Sequence, residues 1–173
     1  CRQRFPPAAP LPVPRLNGPE SWPDSLPLAS LELLPRLPWT DGLAAAWRPG
    51  EIGAQAQLAW FCENALTGYA QWRDWPGRDG VSRLSPHLHF GEISPRQVWN
   101  AAANAIGGDP LAHPGAETFL REIGWREFAH AMLYHWPHTA EQPLQTRFSG
   151  YPWREDYADL LHAWQQGHTG YPL

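Results

Sequence analysis

Apolar side chains recur at helical spacing through much of the chain, and no stretch shows the alternation that is typical of a half-buried β-strand. Residues 51–69 place apolar positions close to the 3.6-residue period, which predicts a helix opened by Pro49-Gly50. Glu51 at its start suits the positive end of the helix dipole. The pattern breaks at residues 74–80, where two glycines and a proline predict a loop.

Three further helices are marked by the residues at their ends. Residues 94–97 read Ser-Pro-Arg-Gln, a capping box with proline at N1, so a helix should begin there and stop at Gly107-Gly108. A second helix is expected from about Ala116 to Trp136, because Pro137 prevents its continuation. A third is expected near residues 156–166, with a glycine directly after it as the C-terminal cap. The predicted fold class is all-α, with long loops between helices.

The first 40 residues differ in composition from the rest. Residues 1–40 hold ten of the 20 prolines, which exclude a long helix or a central strand. We interpret this range as a Pro-rich interdomain linker with one short helical turn near Leu28–Leu34, and residues 41–173 as a helical domain. Because the chain lacks an initiating Met and ends without the marks of a finished terminus, we expect it to be truncated at both ends.

Composition narrows the class of protein. A net charge of −4 argues against a protein that coats nucleic acid by bulk electrostatics, but all 13 basic residues are Arg, which suits a local phosphate site. No apolar run approaches the roughly 18 residues of a membrane span, so no membrane is expected. Two cysteines form no disulfide framework, which favours a reducing, cytoplasmic location. The 11 tryptophans indicate either core packing or π chemistry, such as stacking on bases and flavins.

One candidate binding segment precedes Pro86. Ser82, Arg83 and Ser85 place two hydroxyls and a guanidinium within four positions, which suits a phosphate, although an ordinary surface loop has the same composition. The glycine-rich nucleotide motifs and the GxSxG motif of hydrolases are absent. His87 lies near another histidine and a glutamate, but further ligands are missing, so no metal site is expected.

A second candidate lies in the long helix predicted after residue 115. Glu122, Trp125 and Arg126 are spaced i, i+3 and i+4, so they share one helix face. They form either a surface ion pair beside a half-buried indole or a stripe that faces a ligand. Gly124 costs about 1 kcal/mol relative to Ala inside a helix, which hints at a close approach by another group.

Three motifs in collinear order resemble those of the FAD-binding helical domain of the photolyase/cryptochrome family. They are SRLSPHLHFGEIS at residues 82–94, GWREF at residues 124–128 and AWQQGHTGYP at residues 163–172. The resemblance covers about residues 47–173, the N-terminal part of that domain, and is strongest to bacterial cyclobutane pyrimidine dimer photolyases. The Pro-rich start is similar to the linker that joins the family's N-terminal antenna domain to this helical domain.

The resemblance implies FAD as the cofactor and light-driven DNA repair as the function. In this family, excited reduced FAD splits cyclobutane pyrimidine dimers by electron transfer, the reaction of a deoxyribodipyrimidine photo-lyase. The alternative is a cryptochrome-type blue-light photoreceptor without repair activity. The implied partners are damaged DNA that holds a pyrimidine dimer and an antenna chromophore on a missing N-terminal domain, and the implied state is a monomer. We expect the fragment alone to be inactive.

The family's site residues carry over by position. The resemblance assigns FAD contacts to Tyr69, Val81, Ser82, Arg83, Leu84, Ser85, Phe119 and Arg126. Val81 stands where the family usually has Thr, and Phe119 stands where many members have Trp. Glu122 and Trp125 would face the DNA. Trp153 would transfer electrons as the outermost member of the family's tryptophan chain, whose two inner members would lie beyond the end of this sequence.

Overall fold

The computed structural model describes residues 9–34, 40–152 and 154–171, and every regular element within these ranges is helical. The α-helices are α1 (Asp41–Ala46), α2 (Glu51–Asn64), α3 (Tyr69–Trp72), α4 (Ser85–His89), α5 (Pro95–Ile106), α6 (Pro114–His135) and α7 (Ala158–Gln165). Short 3-10 helices lie at Leu28–Leu31, Pro110–Ala112, Pro137–Ala140 and Thr146–Phe148. The predicted all-α fold class is confirmed.

Two compact units make up the chain, Cys1–Arg126 and Glu127–Leu173. Every side chain of residues 9–34 is exposed, and the helical turn predicted near Leu28–Leu34 corresponds to the 3-10 helix at Leu28–Leu31. α1 was not predicted, although its three consecutive alanines favour a helix. The division between a linker and a helical domain after residue 40 stays a prediction.

The core of the first unit forms where α2 packs against α5. α2 buries Ala54, Leu58 and Phe61, which recur at the spacing of one helix face. α5 buries Val98 and Ala102 on a face of the same kind. The 3-10 helix at Pro110–Ala112 also packs against α5.

Three aromatic rings join α2, α3 and α6 within this core. The ring of Phe61 lies 4.5 Å from that of Phe119 and 5.7 Å from that of Tyr69, measured between centroids. The rings of Tyr69 and Phe119 lie 5.4 Å apart in an edge-to-face arrangement. Tilted and edge-on pairs of this kind are the favoured geometry of buried aromatic rings, so the cluster fixes the start of α3 against α6.

The helix predicted over residues 51–69 is interrupted. α2 ends at Asn64, where the backbone N–H of Leu66 donates to the carbonyl of Phe61 and closes the last turn. α6 approaches the turn that follows so closely that a Cβ on Gly115 would lie 2.2 Å from the Leu66 carbonyl oxygen. The apolar pattern continues through this break, but the backbone turns so that α3 can start on a new axis.

The helix ends predicted from capping residues agree with the structure. Ser94 and Gln97 exchange the two hydrogen bonds of a capping box at the start of α5, and Gly107 ends the helix with a φ of 70°. α6 stops directly before Trp136 and Pro137. Gly167 follows α7 with a φ of 72°.

The second unit exposes its apolar side chains. None of the described residues in 127–152 and 154–171 is buried. The apolar positions predicted for α7 are present on the helix, but Leu160 and Trp164 are 57% and 69% exposed. In the described ranges of the chain, no helix has both the length and the apolar content that crossing a bilayer requires.

Candidate functional site

Residues 81–85 run along the surface of the first unit with one side chain anchored in the core. Leu84 is 1% exposed, whereas Arg83 and Ser85 on either side of it are exposed. Arg83 has a positive φ, Leu84 lies in the right-handed helical region and Ser85 opens α4, so the chain turns at this point. The hydrophobic anchor therefore directs the guanidinium and the second hydroxyl towards solvent.

The backbone of this segment is held in an unusual conformation. Arg83 has a φ of 52°, in the left-handed region that non-glycine residues rarely adopt. Such a residue costs on the order of 1–3 kcal/mol and persists only when its surroundings hold it. Gln57 Nε2 donates to the Ser82 carbonyl at 3.0 Å, and Trp47 Nε1 donates to the Arg83 carbonyl at 3.4 Å.

The polar groups of the segment fit a phosphate. The Ser82 hydroxyl oxygen accepts from the Leu84 backbone N–H at 3.4 Å, which leaves its own O–H to donate to another acceptor. The Arg83 guanidinium lies 3.0 Å from an Asp79 carboxylate oxygen. A phosphate that binds here would compete with that exposed carboxylate for the guanidinium. Two hydroxyls and one planar cation are suitable donors for a phosphate group.

Tyr69, Arg73 and Glu122 form a second polar group on the aromatic cluster. Tyr69 is buried, and its burial raises the pKa of the phenol above the ordinary value. The Arg73 guanidinium lies 5.6 Å from the centroid of the Tyr69 ring, within the range of a cation–π contact. Arg73 also donates to Glu122 Oε1 at 2.5 Å, and this hydrogen bond raises the pKa of Arg73 further.

Arg73 is a site residue that sequence reasoning did not select. It lies four positions after Tyr69, so a helical interpretation of residues 69–73 would have put the two on one face. No local pattern, however, indicates that a residue 49 positions away supplies its carboxylate partner.

Arg126 connects α6 to α4. Its guanidinium donates to the Leu88 carbonyl at 3.2 Å. Leu88 lies three residues, or about 4.5 Å along the helix axis, after Ser85. The structure therefore brings the end of the Glu122–Arg126 stretch close to the helix that the serine segment opens.

Trp125 and Gly124 lie on the open side of α6. Trp125 is 59% exposed, more than expected for an indole whose role is core packing. A Cβ on Gly124 would meet no atom within 4 Å among the described residues, so the close approach predicted there involves none of them.

The remaining residues assigned by resemblance have different surroundings. Val81 is 37% exposed. Phe119 is 3% exposed, and its ring packs against Phe61 in the aromatic cluster. Trp153 lies outside the described residues. The assigned roles of all three stay predictions.

His87 within α4 and Glu92, which lies three residues after that helix, form a polar pair in which the histidine is buried and the glutamate is partly exposed. His87 is 3% exposed, and its Nδ1 lies 2.5 Å from Glu92 Oε2. The hydrogen bond to His87, followed by one from the Gly50 backbone, lowers the pKa of Glu92 below its ordinary value. Among the described residues, no three histidine, cysteine, aspartate or glutamate side chains lie close enough together to ligate a metal ion.

Comparisons with known proteins point to one family. Residues 119–173 match the profile of a family described as the FAD binding domain of DNA photolyase. The deoxyribodipyrimidine photo-lyase of Agrobacterium fabrum is 40% identical over 169 residues, which cover 96% of this chain and 35% of that protein. Cryptochrome-2 of Arabidopsis thaliana is 37% identical over 157 residues, which cover 88% of this chain and 26% of that protein.

A solved structure has the same fold. The crystal structure of a bacterial class III photolyase from Agrobacterium tumefaciens matches with a TM-score of 0.78 and 39% identity, covering 91% of this chain and 32% of that one. The chain thus spans about a third of the length of the photolyases it matches. The family profile supports FAD as the cofactor. By fold and sequence, the chain belongs to the photolyase/cryptochrome family and forms part of its helical FAD-binding domain.

Proposed function

We propose that the protein is a deoxyribodipyrimidine photo-lyase, which binds damaged DNA and splits cyclobutane pyrimidine dimers with light and FAD. The observation that carries the proposal is the arrangement on α6, where Glu122 is held by Arg73 and the exposed Trp125 lies on the same helix. A fixed acceptor beside a solvent-facing indole suits a flat ligand with N–H groups at its edge. Pyrimidine bases have that chemistry.

FAD would be held by residues of the first unit. Ser82, Arg83 and Ser85 would donate to the diphosphate, and Arg126 would add a second cation near α4. The full set of proposed contacts is Tyr69, Val81, Ser82, Arg83, Leu84, Ser85, Phe119 and Arg126. Bound reduced FAD would supply, under blue light, the electron that opens the dimer, and that electron would return to the flavin once the ring has split.

DNA would bind by extrusion of the dimer from the duplex. Photolyases are among the enzymes that take their target nucleotides out of the base stack, at a cost of a few kcal/mol. Stacking on Trp125 would offset part of that cost, because a base on an aromatic side chain contributes about 1–3 kcal/mol. The carboxylate of Glu122 would accept from a thymine N3–H, while Arg73 keeps it in place.

Other parts of the proposal concern the whole protein. Residues 1–40 would be the interdomain linker and residues 41–173 the N-terminal part of the FAD-binding domain. Trp153 would transfer electrons to the flavin. An antenna chromophore on a further domain, a monomeric state and a cytoplasmic location are also predicted.

The second candidate function is a blue-light photoreceptor of the cryptochrome type. It is favoured by the similarity to Cryptochrome-2, which is 37% identical against 40% for the photo-lyase. Both functions use FAD, so flavin binding does not separate them. Repair of the DNA lesion does.

Illumination of the protein, expressed at its full natural length, tests the two functions. The reduced flavoprotein is mixed with an oligonucleotide that holds one thymine dimer, and the dimer is followed by chromatography in blue light and in the dark. The proposal expects dimers to disappear only in the light, and expects Glu122→Gln to slow the loss. A protein that holds FAD but leaves the dimers intact would support the photoreceptor instead.

A further inference from the structure

We propose that Gln57 and Trp47 are positioning residues, which hold residues 81–85 in the conformation that receives the diphosphate of FAD. The inference rests on the proposed FAD site. Neither residue belongs to the set that the family resemblance assigns to the cofactor. Each would act through the backbone of the segment and would not touch the ligand.

The two hydrogen bonds fix the two peptide groups on either side of one α-carbon. The Ser82 carbonyl belongs to the peptide group before the Arg83 α-carbon, and Gln57 donates to it at 3.0 Å. The Arg83 carbonyl belongs to the peptide group after that α-carbon, and Trp47 donates to it at 3.4 Å. Because φ and ψ describe the rotation of these two groups about the α-carbon, both rotations are restrained together.

The restrained residue is one that would otherwise relax. The φ of 52° at Arg83 is unfavourable for a side chain with a Cβ. Without the two donors, the segment would shift to an ordinary conformation, and its exposed groups would turn away from their present directions. The buried side chain of Leu84 anchors the segment, but it leaves the φ of Arg83 free to change.

One donor lies on a helix of the core, and the other lies in the connection that precedes this helix. Gln57 lies on α2, the helix that packs against α5 in the core, and Trp47 follows α1 directly. Both are half-buried and border a cavity of about 510 Å³, which Trp60 and His87 also line. The carbonyls of the segment are thus turned towards this wall, while the side chains of Arg83 and Ser85 remain exposed. A preorganised segment of this kind binds its ligand more tightly, because less ordering is needed on binding.

The test is the affinity for FAD itself, measured by flavin fluorescence on the apoprotein at its full natural length. Gln57→Leu keeps the size of the side chain and removes the donor, and we expect the dissociation constant to rise about tenfold. Trp47→Phe removes the indole N–H while it keeps a ring, and a smaller rise is expected from the longer bond. Gln55→Leu, an exposed position on the same helix, is the matched control and should leave affinity unchanged.

The substitution Arg83→Gly separates positioning from a general structural role. Glycine adopts a φ of 52° without strain. If Gln57 acts by holding that conformation, Gln57→Leu should weaken FAD binding by less than threefold in an Arg83→Gly background. A tenfold loss in both backgrounds would mean that Gln57 acts in some other way, and equal affinities for Gln57→Leu and Gln55→Leu would also overturn the inference.

The outcome is distinguishable from failure of the proposed function. A wild-type protein that binds no FAD would contradict the FAD site itself. A wild-type protein that binds FAD as tightly as its Gln57→Leu and Trp47→Phe variants would contradict the positioning role alone. Circular dichroism and urea unfolding check that each variant is folded. If Gln57→Leu does not fold, Trp47→Phe still tests the inference.

Discussion

Arg73 donates a hydrogen bond to Glu122 across 49 positions of the chain, and the two side chains remain 32% and 39% exposed. Exposed ion pairs contribute about 0–1 kcal/mol to stability, because solvent screens the charges and the side chains lose freedom. This pair therefore contributes little to the stability of the fold. Because Glu122 lies on the same helix as Trp125, we interpret the role of Arg73 as holding the Glu122 carboxylate in a fixed orientation.

Arg73→Gln should separate orientation from stability. The free energy of unfolding is expected to fall by less than about 1 kcal/mol, while affinity for dimer-containing DNA falls about tenfold because Glu122 loses its fixed geometry. Urea unfolding and fluorescence anisotropy measure the two effects. Arg121→Gln, which breaks an exposed pair with Glu117 on the same helix, is the control. Equal losses of DNA affinity in both variants would contradict the orienting role.

Trp125→Ala should weaken DNA binding without changing the flavin site. Removal of the exposed indole takes away a stacking surface, so affinity for the extruded dimer is expected to fall by about 1–3 kcal/mol. The absorption spectrum of bound flavin should stay the same. Anisotropy with dimer-containing and undamaged oligonucleotides provides the measurement. Trp22→Ala, at a position that is 80% exposed in the Pro-rich segment, should leave the affinity unaltered. If Trp125→Ala behaved in the same way, Trp125 would not face the substrate.

Arg126→Ala should loosen FAD. The substitution removes a cation and the hydrogen bond to the Leu88 carbonyl, so both the charge near α4 and the link between α6 and α4 are lost. A charged hydrogen bond contributes about 1.5–3 kcal/mol, and we expect a tenfold or greater rise in the dissociation constant. Flavin fluorescence titration provides the measurement. Arg96→Ala, at an exposed position on α5, should have no effect. Retention of full affinity in Arg126→Ala would remove this residue from the flavin site.

Glu92→Gln should change how stability depends on pH. The pKa of Glu92 in the folded protein is below its ordinary value, so the folded state binds this proton more weakly than the unfolded state does. The ionised carboxylate therefore stabilises the fold above its ordinary pKa of 4.5, and this contribution is lost as pH falls through the lower, folded value.

Urea unfolding of wild type and Glu92→Gln at a series of pH values checks this prediction. The wild type should be the more stable at neutral pH, and the difference in unfolding free energy should shrink as the solution is made more acidic than pH 4.5. Other carboxylates cancel in that difference, because both proteins contain them. A difference that stays constant over the acidic range would show that Glu92 does not titrate as described.

The sequence predicted the ends of those helices that are marked by capping residues or by proline. The capping box at Ser94 and Gln97 and the block at Pro137 gave correct ends for α5 and α6, because capping and proline geometry act within one turn. The break between α2 and α3 was missed. At the break, Gly115 of α6 lies close to the Leu66 carbonyl, and a contact between residues nearly 50 positions apart leaves no mark on the local hydrophobic period.

The candidate site shows the same division. Residue type made Ser82, Arg83 and Ser85 candidate donors to a phosphate but left an ordinary surface loop as the alternative, and their assignment to FAD, which rests on the family resemblance, stays a prediction. The rotation of the backbone at Arg83 and its donor Gln57 were not predictable, because a positive φ at a non-glycine residue depends on tertiary partners.

The approach of Gly115 to the turn before α3 has a consequence for distant side chains. The two backbones are in contact at that point, so a methyl group on residue 115 would push α6 away from the turn. Glu122 lies seven residues further along the same helix, so any tilt introduced at the contact would be carried over about 10 Å to its carboxylate. The distance between Arg73 and Glu122 thus depends on residue 115 being glycine, the one residue type that has a hydrogen atom in place of Cβ.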